Sequence, residues 1–360
     1  MSKWPVLLMV RSLDHGGCER DAAKIAVGLD RSRFDPHVGV FYANGYRTLE
    51  VQAAGVPIVD FPVRSFADFT VLRGARKMGA YVRQHRIQLI HAFDVPMDIF
   101  AAPVARWCRV PVVITSQLSF RDMYGGKQQM ALRLTDRLSD SVVVNSRAVG
   151  NSLGLPREKI YLCYNGVNPA EFYPPTADPS ALVVGSVCVM RPEKRMDWVI
   201  QSFAAVRQMH AGIRLLLVGD GPELPRLKEL RDRLGLQDVC HFEPGRADVA
   251  GFMRSIDIYV NSSSSESFPN GLLEAMACGC CVIGSNVGGI PELVTHMADG
   301  LVFDSRSADT LTDMLRLAVS DVNLRQKLRE QAAVTARERF SIRITLQRTE
   351  ALYQTLLEQC

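Results

Sequence analysis

Two carboxylates eight residues apart, Glu266 and Glu274, enclose a stretch of the sequence that could bind a phosphate group. Pro269, Asn270 and Gly271 lie between them and are typical of the turn into a helix and of its first residues. A helix start offers backbone N–H groups and a partial positive charge, and Gly271 would let a ligand come close to the backbone. We therefore expect Glu266 on the loop before a phosphate site and Glu274 about one turn inside the helix.

Carboxylates on both sides of a phosphate site suit a ligand that carries hydroxyl groups at both ends. A carboxylate accepts two hydrogen bonds at once, so each could hold a vicinal diol. A phosphate group with a diol on either side describes a nucleotide sugar. In the plainer alternative, Glu274 is a first-turn acid favoured by the helix dipole and Glu266 is a solvated loop residue. The motifs upstream of this stretch favour the first interpretation.

Composition places the chain among ordinary globular proteins. It has 360 residues, of which 47% are hydrophobic and 22% charged, and this length suggests two domains. A net charge of +4 gives no reason to expect a nucleic-acid partner, and no apolar run approaches the length that spans a bilayer. The nine cysteines follow no disulfide or zinc spacing. We expect a cytoplasmic protein with reduced thiols, no metal and no cofactor.

The alternation of apolar runs and helical periods predicts two doubly wound α/β domains. Strands are predicted at residues 6–10, 37–42, 58–61, 89–92, 110–115, 141–145 and 160–164 of the first domain, and at 181–190, 213–218, 239–242, 256–261, 281–283 and 301–303 of the second. Four prolines, Pro169, Pro174, Pro175 and Pro179, indicate a linker. We assign residues 1–173 to the first domain, completed by a helix at about 341–360, and residues 174–340 to the second.

Ligands in open α/β sheets bind at the carboxyl ends of the strands. Four segments lie at such ends: the Gly16-Gly17 turn, residues 191–194, the turn that begins with Gly219, and residues 262–271. Two domains of this kind would hold a ligand in the cleft between them. The glycine pair is not G-x-G-x-x-G, so a nicotinamide cofactor is disfavoured.

These segments together resemble the retaining glycosyltransferases of the GT-B fold, specifically family 4. The second domain is similar to the donor half of that family in RPEK (191–194), VGDGPE (218–223), SESFPNGLLEAMACG (265–279) and GGIPE (288–292). DHGGCER (14–20) resembles the glycine loop of the acceptor half, and NGVNPAEF (165–172) the interdomain turn. The resemblance implies two Rossmann-like domains that face each other across a cleft.

The resemblance also implies roles for individual residues. Glu274 would hold the ribose diol, Glu266 would contact hexose hydroxyls, and Lys194 would neutralise the diphosphate with help from Arg191. Lys194, Arg191 and Glu266 are therefore the catalytic candidates, without a metal. The donor-binding candidates would contact the ligand through backbone N–H groups, and through glycines that let it approach the backbone closely, as much as through side chains. They are Gly16, Gly17, Gly219, Glu266, Ser267, Phe268, Pro269, Asn270, Gly271, Leu272 and Glu274.

Two positions depart from the pattern of the family. Val189 stands where the diphosphate arginine usually lies, and Gln117 stands where an acceptor-side histidine is common. Arg191 would replace the first, and Gln117 itself would occupy the second place. Asp14 and His91 are further acceptor-side candidates, although His91 could equally be a strand-end histidine that is hydrogen-bonded within the protein.

The implied activity is transfer of a hexose from a UDP-sugar to a hydroxyl of a glycan or a lipid-linked acceptor, with retained configuration, in cell-envelope or polysaccharide biosynthesis. A glycoside hydrolase also uses two carboxylates but needs no phosphate site. A sugar-nucleotide epimerase of similar architecture remains an alternative. So does a degenerate GT-B protein that binds a nucleotide sugar or a partner without turnover.

Residues 64–147 contain 13 Arg and Lys against 6 Asp and Glu. Five apolar or aromatic residues are interleaved with these charges, namely Phe66, Phe69, Phe120, Met123 and Tyr124. This pattern suggests contact with an anionic membrane surface and hence a peripheral membrane location. The solvated faces of ordinary helices would give the same pattern.

Overall fold

The structure, a computed structural model, describes residues 3–14, 16–176, 182–246 and 248–360. The chain divides into two units, unit 1 with Met1–Asn165 and Arg343–Cys360, and unit 2 with Gly166–Ile342. His15 of the glycine loop, Pro179 of the expected linker and the start of the strand expected at 181–190 lie outside the described residues. None of the helices in the described part of the chain is long and apolar enough to cross a membrane.

Unit 1 contains a seven-stranded parallel sheet with the strand order β3-β2-β1-β4-β5-β6-β7. The strands are β1 (Trp4–Met9), β2 (Phe34–Val40), β3 (Ile58–Asp60), β4 (Leu89–Ala92), β5 (Val112–Gln117), β6 (Ser141–Val144) and β7 (Ile160–Leu162). The helices are α1 (Gly17–Gly28), α2 (Thr48–Ala53), α3 (Thr70–Gln84), α4 (Val95–Trp107), α5 (Gly126–Leu138), α6 (Arg147–Ser152) and the C-terminal α14 (Ile342–Glu358).

Unit 2 contains a six-stranded parallel sheet with the strand order β10-β9-β8-β11-β12-β13. The strands are β8 (Val183–Val187), β9 (Arg214–Val218), β10 (Cys240–Glu243), β11 (Ile258–Asn261), β12 (Cys281–Ser285) and β13 (Leu301–Phe303). The helices are α7 (Met196–Arg207), α8 (Leu224–Arg233), α9 (Val249–Arg254), α10 (Asn270–Ala277), α11 (Ile290–Leu293), α12 (Ala308–Ser320) and α13 (Val322–Arg339).

Strand β1 shows why the apolar runs form central strands. Val6 and Leu8 pack into one core, which also holds side chains of α1 and α14, whereas Leu7 and Met9 pack into a second core with side chains of α3 and α4. Because successive side chains of a strand point to opposite faces, a sheet covered by helices on both sides needs apolar residues at every position. Polar residues begin only where each strand ends. They therefore lie along the edge of each sheet at which the strands have their carboxyl ends.

The structure differs from the expected organisation in two details. The strand expected at 181–190 ends at Val187, and the residues that follow lie against the turn after β9, where the N–H groups of Cys188 and Met190 donate to carbonyls of Val218 and Asp220. The first unit ends at Asn165 rather than at residue 173, since Val167 forms a parallel bridge with Ser341 in unit 2.

Candidate active site

A serine run after β11 fixes the turn that carries Lys194. The Ser264 N–H donates to the carbonyl of Glu193 (2.7 Å), and the Ser262 hydroxyl donates to the carbonyl of Lys194 (2.7 Å). The turn itself is a short 3-10 helix, Pro192–Lys194, and the next residue, Arg195, adopts a left-handed conformation with φ 48°. The main chain around Lys194 is therefore held directly against the loop that leads to Glu266.

The side chains of Lys194 and Glu266 meet at this loop. Lys194 Nζ lies 2.6 Å from Glu266 Oε2, and the Ser263 hydroxyl donates to the same oxygen at 3.0 Å. Both charged side chains keep part of their surface exposed. The structure thus brings together the two residues that were expected to contact the diphosphate and the hexose.

Gly288 and Gly289 of the GGIPE motif fix the backbone of Glu266. Gly288 has φ 52°, and a Cβ atom there would lie 1.7 Å from the carbonyl oxygen of Glu266. The N–H of Gly289 donates to that same carbonyl at 3.1 Å. The loop after β12 can therefore approach Glu266 this closely only because Gly288 has no side chain. The glycine pair itself was the signal in the sequence for this positioning role.

The helix start predicted between the two carboxylates is present as the first turn of α10. Pro269 precedes the helix, and its carbonyl accepts the first hydrogen bond of the helix, from the N–H of Leu273. The backbone N–H groups of the residues before Leu273 come before the first hydrogen bond within the helix, as at the start of any helix. The side chains of Phe268 and Leu272 are buried in unit 2, so any contact of these two residues with a ligand would come from the backbone.

Gly271 is needed for packing beneath the helix. A Cβ atom at this position would lie 2.6 Å from the hydroxyl of Tyr259, which donates to the carbonyl of Val187. The sequence suggested that Gly271 keeps the helix start open to a ligand, and the structure adds that the residue below leaves no space for a side chain.

Glu274 is the fifth residue of α10 and is 5% exposed. Carboxylates are rarely buried to this degree unless they have partners. This burial, together with a position beyond the first turn, argues against the plainer alternative of a first-turn acid favoured by the helix dipole, and it makes Glu274 a residue with a defined structural or binding role.

The remaining donor-side candidates differ in what surrounds them. Gly219 has φ 129°, and a Cβ atom there would lie 2.0 Å from the carbonyl oxygen of Cys188, so the turn needs glycine for its own packing. The Arg191 side chain is 58% exposed, with its nearest charge partner, Glu193, at 3.9 Å. Arg191 thus lies three residues before Lys194 in the chain but is not part of the contact between Lys194 and Glu266.

Unit 1 has a polar pocket at its glycine loop. Gly16 precedes α1, and its carbonyl accepts a hydrogen bond from the N–H of Arg20, so the pair Gly16-Gly17 forms the helix start. The pocket has a volume of about 480 Å³ and is lined by Arg11, Ser12, Asp14, Gly16, Glu19, Tyr42 and Asn44. Asp14, an acceptor-side candidate, thus borders a pocket within its own unit.

His91 is buried in the sheet of unit 1, and both of its ring nitrogens are used there. Nδ1 lies 2.6 Å from the Tyr353 hydroxyl and Nε2 lies 2.8 Å from the Ser116 hydroxyl. Burial lowers the pKa of His91 to about 3, so the ring is neutral at physiological pH. These contacts match the alternative of a histidine that is hydrogen-bonded within the protein, and they remove His91 from the acceptor-side candidates.

Gln117 is likewise buried, within a chain of polar side chains. Its Nε2 donates to Asp98 (2.9 Å), and its Oε1 accepts from Arg121, which also forms an ion pair with Asp136 (2.6 Å). Burial raises the pKa of the Asp98 carboxyl well above its usual value, and the nearby Asp94 raises it further. Burial also raises the pKa of Asp94 to about 6. Composition and spacing gave no sign of this network, since its members belong to different helices and strands.

Comparison with known proteins identifies the family of the chain and its fold. The family model described as Glycosyltransferase Family 4 matches residues 15–171, and the one described as Glycosyl transferases group 1 matches residues 170–335. The two matches together cover most of the chain, which therefore belongs to the group 1 glycosyltransferases.

One curated relative matches over most of its length. N-acetyl-alpha-D-glucosaminyl L-malate synthase from Bacillus anthracis is 26% identical over 300 residues, which are 79% of this chain and 78% of that protein. Among solved structures, HepE from Anabaena in complex with UDP and glucose has a TM-score of 0.85 at 23% identity and covers 98% of this chain and 100% of its own. Sucrose-phosphate synthase from Thermosynechococcus elongatus has a TM-score of 0.83 at 18% identity and covers 99% and 100%. The chain thus has the GT-B fold, with two Rossmann-like domains.

Proposed function

We propose that this protein is a retaining glycosyltransferase that moves a hexose from a UDP-sugar to a hydroxyl of a glycan or lipid-linked acceptor in cell-envelope or polysaccharide biosynthesis. The observation that carries the proposal is the contact of Lys194 with Glu266 on the loop that leads into α10, the helix that contains the buried Glu274. These groups supply a cation for phosphate and carboxylates for hydroxyls. UDP is the proposed nucleotide because HepE, whose fold the chain shares, was solved with it.

The chemistry follows from the charge that develops when the bond between sugar and phosphate breaks. The sugar becomes oxocarbenium-like and the diphosphate gains negative charge, so the protein must stabilise the leaving group. Lys194 and the N–H groups at the start of α10 would do this without a metal, with Arg191 as a second cation.

Glu266 and Glu274 would orient the substrate. Glu274 would accept hydrogen bonds from the ribose diol, and Glu266 from hydroxyls of the hexose. The departing phosphate oxygen would take the proton of the acceptor hydroxyl on the face that it leaves. Retention then needs no nucleophile from the enzyme, which agrees with the usual stereochemistry of the family.

A binding and turnover experiment tests the proposal. We expect UDP and at least one of UDP-glucose, UDP-galactose and UDP-N-acetylglucosamine to raise the melting temperature, while the adenosine and guanosine diphosphates have smaller effects. UDP release should rise on addition of an acceptor, and the product should have the anomeric configuration of the donor by NMR. Tight binding without turnover across a broad acceptor panel would favour the degenerate binding protein, and conversion of the sugar without acceptor would favour the epimerase.

Helix α3 suggests where a lipid-linked acceptor would be met. Phe69, at the start of the helix, is 86% exposed and Leu72 is 56% exposed, with Arg73 and Arg76 exposed beside them. Apolar side chains flanked by cations suit an anionic membrane surface. We propose a peripheral location at the cytoplasmic face of the membrane. The double variant Phe69→Ser, Leu72→Ser should lose co-sedimentation with phosphatidylglycerol vesicles.

Leu49 in α2, which is 76% exposed, offers a matched control for this experiment. Leu49→Ser should bind the vesicles as the wild type does. Equal binding by the double variant, or wild-type binding that does not depend on anionic lipid, would contradict the membrane assignment.

A further inference from the structure

Ser263 is buried between the two charged residues of the candidate site. Its hydroxyl donates to Glu266 Oε2 at 3.0 Å and lies 3.4 Å from Lys194 Nζ, which itself lies 2.6 Å from the same carboxylate oxygen. An ammonium group can only donate hydrogen bonds, whereas a hydroxyl both donates and accepts. The hydroxyl can therefore accept from Lys194 while it donates to Glu266, so three polar groups share one small region.

The main chain presets the direction of this hydroxyl. The Ser263 N–H donates to the side-chain oxygen of Asn261 (3.2 Å), and its carbonyl accepts from the Ser285 hydroxyl (2.6 Å). Ser263 is 1% exposed, so its side chain has little freedom to move elsewhere. A hydroxyl held in this way fixes one oxygen of the carboxylate that it contacts.

The neighbouring serines have different partners. The Ser262 hydroxyl donates to backbone carbonyls of Lys194 and Arg195, and the Ser264 hydroxyl donates to the backbone carbonyl of Glu193. Of these three described serines, Ser263 is thus the one whose hydroxyl contacts the charged side chains of the site. The run therefore contains its own matched control.

The contact between Lys194 and Glu266 creates a competition when a diphosphate binds. In the proposed function Lys194 must turn to the diphosphate, which takes an ammonium partner away from Glu266. A carboxylate with little exposure is costly to leave without hydrogen bonds. The Ser263 hydroxyl would remain on Glu266, and a hexose hydroxyl would provide the second partner. A diphosphate without a hexose would leave Glu266 with one partner fewer.

We propose that Ser263 is a positioning residue that holds the Glu266 carboxylate in place for a hexose hydroxyl once a diphosphate has drawn Lys194 away. This inference rests on the proposed function. It adds to that function a coupling between the binding of the diphosphate and the binding of the hexose. Binding of the diphosphate prepares the hexose-binding carboxylate, and the hexose in turn supplies the partner that the carboxylate has lost. The site therefore favours the intact nucleotide sugar over the nucleoside diphosphate that remains after transfer.

Calorimetric titrations with UDP, and with the UDP-hexose that binds most tightly in the screen above, test this coupling. Loss of one hydrogen bond to a charged group predicts that Ser263→Ala weakens binding of the UDP-hexose about tenfold or more. The affinity for UDP alone should change by less than about twofold, because Ser263 is not expected to contact the nucleotide. Ser263→Thr, which keeps the hydroxyl, should recover much of the loss.

Two further variants separate positioning from a general effect on the fold. Ser264→Ala keeps the backbone N–H that donates to Glu193 and removes a hydroxyl that contacts no charged side chain, so it should not weaken binding of the UDP-hexose selectively. Glu266→Gln frees Lys194 from its carboxylate partner, so UDP alone should bind more tightly while the preference for the UDP-hexose becomes smaller. Melting temperatures of all variants show whether each is folded.

The outcomes distinguish this inference from the proposed function. If the wild type binds neither UDP nor any UDP-hexose, the proposed function is wrong and the inference fails with it. If the wild type binds both ligands but Ser263→Ala weakens them equally, or weakens neither, the positioning role alone is overturned. A selective loss for the UDP-hexose that Thr recovers and Ser264→Ala does not reproduce supports it.

Discussion

In both units, polar residues lie at the carboxyl ends of the strands, but the exposure and the hydrogen-bond partners of these residues differ between the units. In unit 2, Lys194 and Glu266 contact each other on loops and keep part of their surface exposed. In unit 1, His91 and Gln117 are buried and form hydrogen bonds with neighbouring side chains. The same place in the same kind of sheet therefore does not guarantee an accessible group.

The difference arises from what covers each sheet. In unit 1 the C-terminal helix α14 returns to the first sheet and places Tyr353 beside His91. The ion pair of Arg121 with Asp136 similarly places a cation beside Gln117. In unit 2 the serine run and the glycines after β12 hold the backbone instead and leave the charged side chains for other partners. Backbone anchoring, rather than strand-end position, marks the candidate site.

Removal of the Lys194 amine should have the largest effect and would test the site of unit 2 most directly. Lys194→Ala should lower turnover by about 10²- to 10³-fold, because one well-placed donor to a developing negative charge is lost. Steady-state release of UDP in the presence of acceptor measures this. Lys228→Ala, on the exposed surface of α8, is the control and should have wild-type turnover. Unchanged turnover in Lys194→Ala would contradict the assigned role.

Removal of the Glu274 carboxylate should have the next largest effect. If it holds a ribose diol, Glu274→Ala should weaken UDP binding about 10- to 100-fold, the loss that follows from hydrogen bonds to a charged group. Titration calorimetry measures the affinity. Glu229→Ala, on the exposed surface of α8, should bind UDP as the wild type does. Wild-type affinity in a folded Glu274→Ala protein would show that this buried acid is only structural.

The buried histidine of unit 1 should affect stability rather than activity, with the smallest effect of the three. The pKa of His91 is about 3 in the folded protein against about 6.5 in an unfolded chain, so the unfolded chain binds more protons between these values. The neutral ring contributes its full stability above pH 6.5 and loses it as the pH falls. By pH 5 the loss is about 2 kcal/mol.

Urea unfolding at pH 7 and pH 5 measures this effect. From pH 7 to pH 5, the free energy of unfolding of His91→Gln should fall by about 2 kcal/mol less than that of the wild type. The opposite contribution of Asp94, whose pKa is raised to about 6, is present in both proteins and cancels in the comparison. His241→Gln, at an exposed position of strand β10, is the control and should keep the pH dependence of the wild type. An identical pH dependence in His91→Gln would mean that His91 is not the buried neutral base.

Much of the fold could be predicted from the sequence, since parallel strands covered on both faces must be apolar at nearly every position. The strand expected at 181–190 was too long, because apolar Cys188–Met190 form a loop against the Gly219 turn. Local composition cannot distinguish a strand from a loop that is buried by a neighbouring turn. The boundary at Asn165 depended in the same way on a bridge between Val167 and Ser341, which are far apart in the chain.

The resemblance to family 4 implied that Lys194 and Glu266 act together. By itself, the sequence determined the alternation of strands and helices and the helix start between Glu266 and Glu274. These features depend on the local order of residue types, which periodicity and turn chemistry express directly. Only the tertiary structure decided which polar side chains are available. It placed Ser263 between Lys194 and Glu266, fixed Glu266 against Gly288, and buried His91 and Gln117. Such contacts join segments that are distant in the chain, so no local pattern records them.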